Sequence, residues 1–473
     1  MKNIVASSIA WSAVERFSVQ GIQFILSIII TRLVLPSDYG LIAMLGIFLA
    51  IAQTFIDSGF SVALIQKQNR TNVDYSTVFY FNVAVGILSY LFLCLLSPYI
   101  ASFYGEPRLE MITKVVSLNL VINSLMVVQR AILTVSLNFK RQALASLIAV
   151  FVSGVVGVWT AYIGCGVWAL IFQTLLNNLL TVILLWIFAK WLPLLCFSWQ
   201  SFRYMFGFGS KLLAAGLLHM FYTNMYTLVI GKCFSASDLG FYSRANSFSY
   251  VVSGNLSEVL NRVAYPVQCQ LQNDDEQLRA KTLYFMRMAC FVIFPLMIGM
   301  AILAKPLVQV ILTDTWLFTA DLLPILSFAY MWDILMRLNF NILTAKRSSR
   351  SVLISEVLKK ISAILLLVIS IPFGLEAMCW SLFIYSLTDL FIITQYTKKI
   401  IGIGILIELK AIFPVVLLAS SMGIFLLFVD YLILVPAFKL LTGLLVGGSY
   451  YLGIAYLFRF KELFTIINLI RKK

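Results

Sequence analysis

Residues 31–40 read Thr31-Arg32-Leu33-Val34-Leu35-Pro36-Ser37-Asp38-Tyr39-Gly40, and the pattern returns at Lys232 followed by Ser237-Asp238-Leu239-Gly240. Each matched residue lies 200 positions from its partner (237 against 37). In both places a long apolar stretch ends on a basic residue, and Ser-Asp opens the next one. Ser-Asp suits a helix N-cap, and the glycine permits close packing behind it. Two further echoes keep the same order. Lys140-Arg141 answers to Lys346-Arg347 (346 against 140, an offset of 206). Gly166-Val167-Trp168-Ala169-Leu170 answers to Gly374-Leu375-Glu376-Ala377-Met378 (374 against 166, an offset of 208). An ordered set of this kind marks an internal duplication.

The chain has 473 residues, 61% of them hydrophobic and only 12% charged. Soluble domains are roughly a quarter charged, so lipid is the solvent this composition suits. The net charge of +15 therefore reads as basic residues gathered in cytoplasmic loops rather than as a nucleic-acid footprint. Seven scattered cysteines and a single histidine, His219, make a disulfide framework or a zinc site unlike this chain. No cofactor is expected. The first apolar stretch carries Glu15 and Arg16 and is too long for a cleaved signal peptide.

With about 20 residues needed to cross a bilayer, spans are expected at 8–33, 39–64, 76–103, 110–135, 142–163, 166–189, 205–231, 238–265, 282–304, 320–344, 351–371, 374–397, 410–430 and 433–458. The eighth is rich in Ser and Asn, and the tenth carries Asp333 and Arg337. The expected fold is an all-α polytopic membrane protein of about fourteen transmembrane helices. It comprises an N-terminal lobe (1–189), a cytoplasmic linker (190–204), a C-terminal lobe (205–400), and two extra helices with a basic tail (401–473). Six spans per copy is an even number, so the two lobes enter the membrane the same way up, as in parallel-repeat proteins. Lys67, Arg70, Lys140, Arg141, Lys190, Arg203, Arg279, Lys281, Lys346, Arg347, Arg350, Lys398 and Lys399 fall in alternate loops. That bias places both termini in the cytoplasm.

Polar residues inside the spans are the candidate site. Ser8, Ser12, Arg16, Gln20, Gln23, Ser27 and Thr31 recur every three or four residues, which puts them on one face of the first span. That face forms either a hydrogen-bonded seam or the wall of a polar cavity. The seventh span carries Lys211, His219, Tyr222, Thr223 and Tyr226, the eighth carries Arg244, Glu258, Asn261 and Arg262, and the second carries Gln53, Asp57 and Ser61. Arg16, Lys211 and Arg244 suit an anionic headgroup such as a pyrophosphate, which a guanidinium grips bidentately. Gln20, Gln23, Tyr222 and Tyr226 suit a sugar. Asp57, His219 and Glu258 are the candidates for ion coupling, and each equally suits a structural role. No P-loop, GxSxG, HExxH or acidic metal pair is present, so no enzyme chemistry is suggested.

These stretches, together with Trp11-Ser12-Ala13-Val14-Glu15-Arg16-Phe17, Asp57-Ser58-Gly59-Phe60, Leu137-Asn138-Phe139-Lys140-Arg141, Gly164-Cys165-Gly166-Val167-Trp168-Ala169-Leu170 and Ser237-Asp238-Leu239-Gly240-Phe241-Tyr242-Ser243-Arg244-Ala245, resemble the polysaccharide transporter family of the MOP exporter superfamily, which includes Wzx-type flippases. The resemblance implies a V-shaped pair of six-helix lobes and a polyprenyl-pyrophosphate-linked oligosaccharide as substrate. It implies glycosyltransferase and polymerase partners, with H+ or Na+ as coupling ions in some members. A lipid II flippase, a multidrug/cation antiporter of the same superfamily and a membrane polysaccharide polymerase are the rival readings. The short loops weigh against the polymerase, and Arg16 with fourteen spans weighs against the antiporter.

Overall fold

The computed structural model describes residues 2–57, 60–67 and 69–471; the side chains of 2–10, 12–14, 16, 17, 62, 208, 211, 212, 215 and 469–471 lie outside the description. The described regular structure is helical. It runs α1 (Lys2–Leu33), α2 (Pro36–Asp57), α3 (Phe60–Gln66), α4 (Asn72–Tyr104), α5 (Arg108–Val116), α6 (Leu118–Ser124), α7 (Val127–Val135), α8 (Phe139–Tyr162), α9 (Val167–Ala189), α10 (Trp199–Cys233) and α11 (Ala236–Gln270). It continues through α12 (Asp275–Ile302), α13 (Ala304–Ile311), α14 (Leu317–Tyr330), α15 (Asp333–Ala345), α16 (Ser349–Ser370), α17 (Leu375–Ile401), α18 (Ile405–Leu432), α19 (Pro436–Leu457) and α20 (Lys461–Arg471).

Among the described residues, ten segments are long and apolar enough to cross a membrane, counting α5–α7 and the Asp314–Ala345 segment as one each. All ten coincide with predicted spans, and the protein is a multi-pass membrane protein. The remaining four predicted spans correspond to α1, α10, α11 and α16. These are 32, 35, 35 and 22 residues long, so length suffices. Of these, α1 is apolar over its described stretch Ser18–Leu33, and α10, α11 and α16 are less apolar because they carry much of the polar complement described below.

The chain divides into two compact units, Met1–Gly240 and Phe241–Lys473. In unit 1, α8 packs on α1 and α9, while α10 packs on α2, α3 and α4. A core of Phe60, Leu64, Val78, Phe79, Val128 and Met205 is closed by Trp186, Trp191 and Phe202. The polar break after α9 shrinks to residues 190–198, because Ser198 caps α10 by accepting from the Ser201 amide (3.3 Å). This segment is stitched to the start of α4: Leu194 N donates to Ser76 Oγ (2.9 Å) and Ser198 N to Thr77 Oγ1 (3.0 Å). In unit 2, α12 packs on α18 and α14, α17 on α14 and α16, and α19 on α18 and α13.

The duplication is written in the backbone. The fourth predicted span of each copy is broken, at Leu125–Met126 and at Met331–Trp332, an offset of 206 (331 against 125). The corner after α7 has Leu137 at φ 53°, and the corner after α15 has Arg347 at φ 53°. Both corners make the same bonds: Asn138 N to Leu133 O (2.9 Å) and Leu137 N to Thr134 O (3.0 Å), against Ser348 N to Leu343 O and Arg347 N to Thr344 O (both 3.0 Å). The offset here is 210 (347 against 137). The basic pairs Lys140-Arg141 and Lys346-Arg347 are therefore not structural equivalents, because Lys346-Arg347 lies in the turn itself whereas Lys140-Arg141 opens α8. The shift arises because α15 has 13 residues where α7 has nine. At Gly166 and Gly374, which precede α9 and α17 with positive φ, the offset returns to 208.

The Ser-Asp pairs are not the caps themselves. Ser235 caps α11 and Asp238 closes a capping box: Asp238 N donates to Ser235 Oγ (3.1 Å), and Ser235 N donates to Asp238 Oδ2 (3.1 Å). In α2 the equivalent Asp38 also sits in the first turn, its amide donating to Leu35 O (3.1 Å). The glycines behave as expected, and they do so against each other. A Cβ on Gly40 would lie 1.7 Å from the Ala236 carbonyl oxygen, and one on Gly240 would lie 1.9 Å from that of Pro36. The two copies of the motif cross backbone to backbone.

Lys461–Arg471 forms α20, held by an ion pair between Arg287 Nε of α12 and Glu462 Oε1 (2.6 Å), with Glu462 and Leu463 buried.

Candidate substrate site

In unit 1 the side chains of Arg16 and Lys211 lie outside the description, as do those of Ser8 and Ser12; their backbones are helical, in α1 and α10. The rest of the α1 stripe grades along its length. Gln20 and Gln23 are exposed, Ser27 is half-buried and bonds back to Phe24 O (2.9 Å), and Thr31 is buried. Thr31 Oγ1 donates to Ser27 O (2.5 Å) and lies 3.0 Å from the Tyr39 hydroxyl, so the Thr31 end of the stripe is a seam. On α10, His219 and Thr223 are exposed, Tyr222 is half-buried and Tyr226 is buried.

Gln53 and Asp57, spaced four apart on α2, join a third residue that sequence spacing does not reveal. Asn123 Nδ2 on α6 donates to Gln53 Oε1 (3.1 Å), and Gln53 Nε2 donates to Asp57 Oδ1 (3.1 Å). Arg130 on α7 stands within electrostatic reach of Asp57. The helix break just before α7 leaves the Leu125 carbonyl without its ladder donor, and Trp186 Nε1 supplies one (2.9 Å).

Unit 2 builds a comparable cluster from α11, α14 and α15. Glu258 pairs with Arg262 (3.5 Å), and Arg337 with Asp333 (2.6 Å). Asn341 Nδ2 donates to Asn261 Oδ1 (2.5 Å), and the Tyr330 hydroxyl to Asn246 Oδ1 (2.7 Å). Here too the broken span exposes a carbonyl, Tyr330 O, which accepts from Ser253 Oγ (2.7 Å). Arg244 is half-buried near the start of α11.

A second polar group in unit 2 was passed over in sequence. Lys359 of α16, 4% exposed, lies 2.9 Å from Asp389 Oδ1 of α17 and 3.1 Å from Glu356 Oε1; Tyr385 donates to Asp389 Oδ2 (3.3 Å). Glu356, Lys359 and Lys360 inside a predicted span were the available signal, since charges in lipid need partners. No group of three or more metal-ligating side chains occurs among the described residues.

Residues 29–321 match the family model described as polysaccharide biosynthesis protein. The chain belongs to that family. The chain is similar to the teichuronic acid biosynthesis protein TuaB of Bacillus subtilis, 22% identical over 344 residues that cover 72% of this chain and 71% of TuaB. The succinoglycan biosynthesis transport protein ExoT of Rhizobium meliloti is 22% identical over 68% of this chain and 65% of its own length. The lipopolysaccharide biosynthesis protein WzxC of Escherichia coli is 24% identical over 66% and 63%. The chain thus spans about two thirds of the length of these polysaccharide biosynthesis relatives. The fold is that of the lipid II flippase MurJ in its inward closed conformation, with a TM-score of 0.75 over 95% of this chain and 98% of MurJ at 14% identity. An inward-facing MATE family multidrug transporter of the MOP superfamily follows at 0.60 over 82% and 98%, at 12% identity. The expected resemblance to polysaccharide transporters is borne out, and with it a transporter rather than an enzyme.

Proposed function

We infer that this protein is a flippase that carries polyprenyl-pyrophosphate-linked oligosaccharide units from the cytoplasmic to the outer face of a bacterial inner membrane. The units would feed O-antigen, capsule or exopolysaccharide assembly. The observation that carries the reading is the family match across residues 29–321. The polar faces of α1, α2 and α10 support it, because a lipid-linked sugar must find hydrogen-bonding groups at membrane depth and apolar surface beside them. Transport proceeds by alternating access. The candidate contacts are Arg16, Lys211 and Arg244 for the pyrophosphate and Gln20, Gln23, Tyr222 and Tyr226 for the sugar.

Both termini lie in the cytoplasm on this reading, as the distribution of Lys and Arg among the loops requires. Glycosyltransferases supply the substrate and a polymerase consumes it. A membrane potential contributes about 2.3 kcal/mol per charge per 100 mV, and with a negative interior it favours outward passage of an anionic headgroup. Coupling to H+ or Na+ through Asp57, His219 or Glu258 would add to that drive.

Deletion of the gene in its host tests the reading. The expected result is loss of surface polymer with the completed lipid-linked unit trapped on the cytoplasmic face; the glycan of the trapped unit separates this substrate class from lipid II. Single units reaching the outer face unpolymerised would overturn the reading in favour of a polymerase role.

A further inference from the structure

Arg130 is an unexplained charge. It lies in a segment long and apolar enough to cross the membrane, Arg108–Val135, and it is exposed. Its guanidinium makes no ion pair among the described residues, and its hydrogen bond is a weak one to the Met126 sulfur at 3.9 Å. An arginine in such a segment faces a polar cavity or an anionic headgroup, because lipid tails offer it no acceptor. It sits five residues before the end of α7, about 7–8 Å along the helix axis. With the termini inside, that is close to the inner-leaflet headgroup level.

The surroundings are built rather than incidental. Asn123, Gln53 and Asp57 form a directed chain of hydrogen bonds in which both amide groups donate towards the acid. This fixes one Asp57 oxygen and holds the carboxylate within reach of Arg130 without closing an ion pair. Unit 2 repeats the device with different residues. Glu258, on α11, which answers to α2 in the duplication, acts electrostatically on Arg337 of α15, which answers to α7. There the arginine is already engaged by Asp333 at 2.6 Å. An acid on the second span facing an arginine just past the break of the fourth span occurs in both copies, although the local sequences differ.

We propose that Arg130 is a further residue of unit 1, beside Arg16 and Lys211, that receives the pyrophosphate of the lipid-linked substrate, with Asp57, set by Gln53 and Asn123, as the anionic group within its electrostatic reach. The inference rests on the flippase reading and names the chemical moiety that this part of the site recognises. A guanidinium fork offers two parallel donors to a phosphate, and Asp57 balances the charge while no ligand is bound. The interaction is non-covalent.

The test uses the full-length protein in lipid nanodiscs and compares a polyprenyl pyrophosphate with the corresponding polyprenol. The wild type should bind the pyrophosphate more tightly. Arg130→Gln should weaken that binding about tenfold or more, the scale of a charge-assisted bond, while leaving polyprenol binding unchanged. Arg130→Lys, which keeps the charge and loses the fork, should fall between. If the wild type discriminates and Arg130→Gln binds as well as it does, the inference is wrong and the flippase reading survives. If the charge exchange Asp57→Arg with Arg130→Asp restores wild-type binding, Arg130 is half of a structural ion pair and the inference is again wrong. If the wild type itself fails to distinguish the two lipids, the flippase reading falls and this inference falls with it.

Discussion

The crossing of the two Ser-Asp-x-Gly motifs makes a sharp prediction at Gly40 and Gly240. An alanine Cβ would lie 1.7 Å from the Ala236 oxygen in the first case and 1.9 Å from the Pro36 oxygen in the second. Real Cβ atoms essentially never come closer than 3.0 Å to a neighbour, so the segments must part by at least 1.3 Å (3.0 less 1.7) or 1.1 Å (3.0 less 1.9). Both obstructing atoms are main chain, so no rotamer change relieves the clash. Overpacking of this kind costs about 1–3 kcal/mol, and more where backbone must move. For a unit of this size each kcal/mol corresponds to about 2–4 °C in Tm. The control is Gly46→Ala on the same helix, where nothing lies within 4 Å and where alanine is the better helix former. Melting of purified protein, followed by the loss of its monodisperse peak after heating, should show Gly40→Ala and Gly240→Ala falling several degrees and Gly46→Ala unchanged or higher. Equal stability of Gly40→Ala and Gly46→Ala would refute the close crossing.

Three further expectations follow from the ion pairs and the topology. Lys359→Met strands Asp389 in the interior of unit 2 and should cost about 3–5 kcal/mol, whereas Lys359→Met with Asp389→Leu should recover much of it; the same heating assay reads both. Glu462→Ala should release α20 from Arg287 and speed tryptic cleavage at Lys461, with the rest of the chain cut at its usual rate; an unchanged rate would mean the ion pair does not hold the helix. Single cysteines placed at Lys140 and Lys281 in a cysteine-free background should react with an impermeant thiol reagent only after the cells are opened, and one at Lys114 should react in intact cells. The reverse pattern would invert the topology.

Much of the architecture was legible because apolar length is a strong signal in lipid. The positions of the long helices follow from it, and the Ser-Asp-x-Gly pair gave the duplication. The breaks at Leu125–Met126 and Met331–Trp332 were not legible. Neither has a Pro or Gly at the break; each depends on a side chain from a distant helix, Trp186 or Ser253, to satisfy the freed carbonyl. The basic pairs gave an offset of 206 where the corners show 210. Any lysine near a helix end meets solvent, so charge drifts along the sequence while a left-handed corner residue does not. In the site, spacing alone found Gln53 and Asp57. Asn123 and Arg130 come from other helices, and only tertiary packing brings them in.

The longer α15 carries a further consequence. The second copy differs from the first by four residues within a span, close to the 3.6 of one helical turn. A side chain displaced by four positions rotates by only about 40° and moves about 6 Å along the axis, so it keeps its face and changes its depth. A gain of two residues would have turned the same side chains to the opposite side of the helix and put charge into lipid. Length change inside such a span is therefore filtered by rotation: whole turns survive and fractions do not. The two copies could drift apart in depth while still being forced to agree on which way they face.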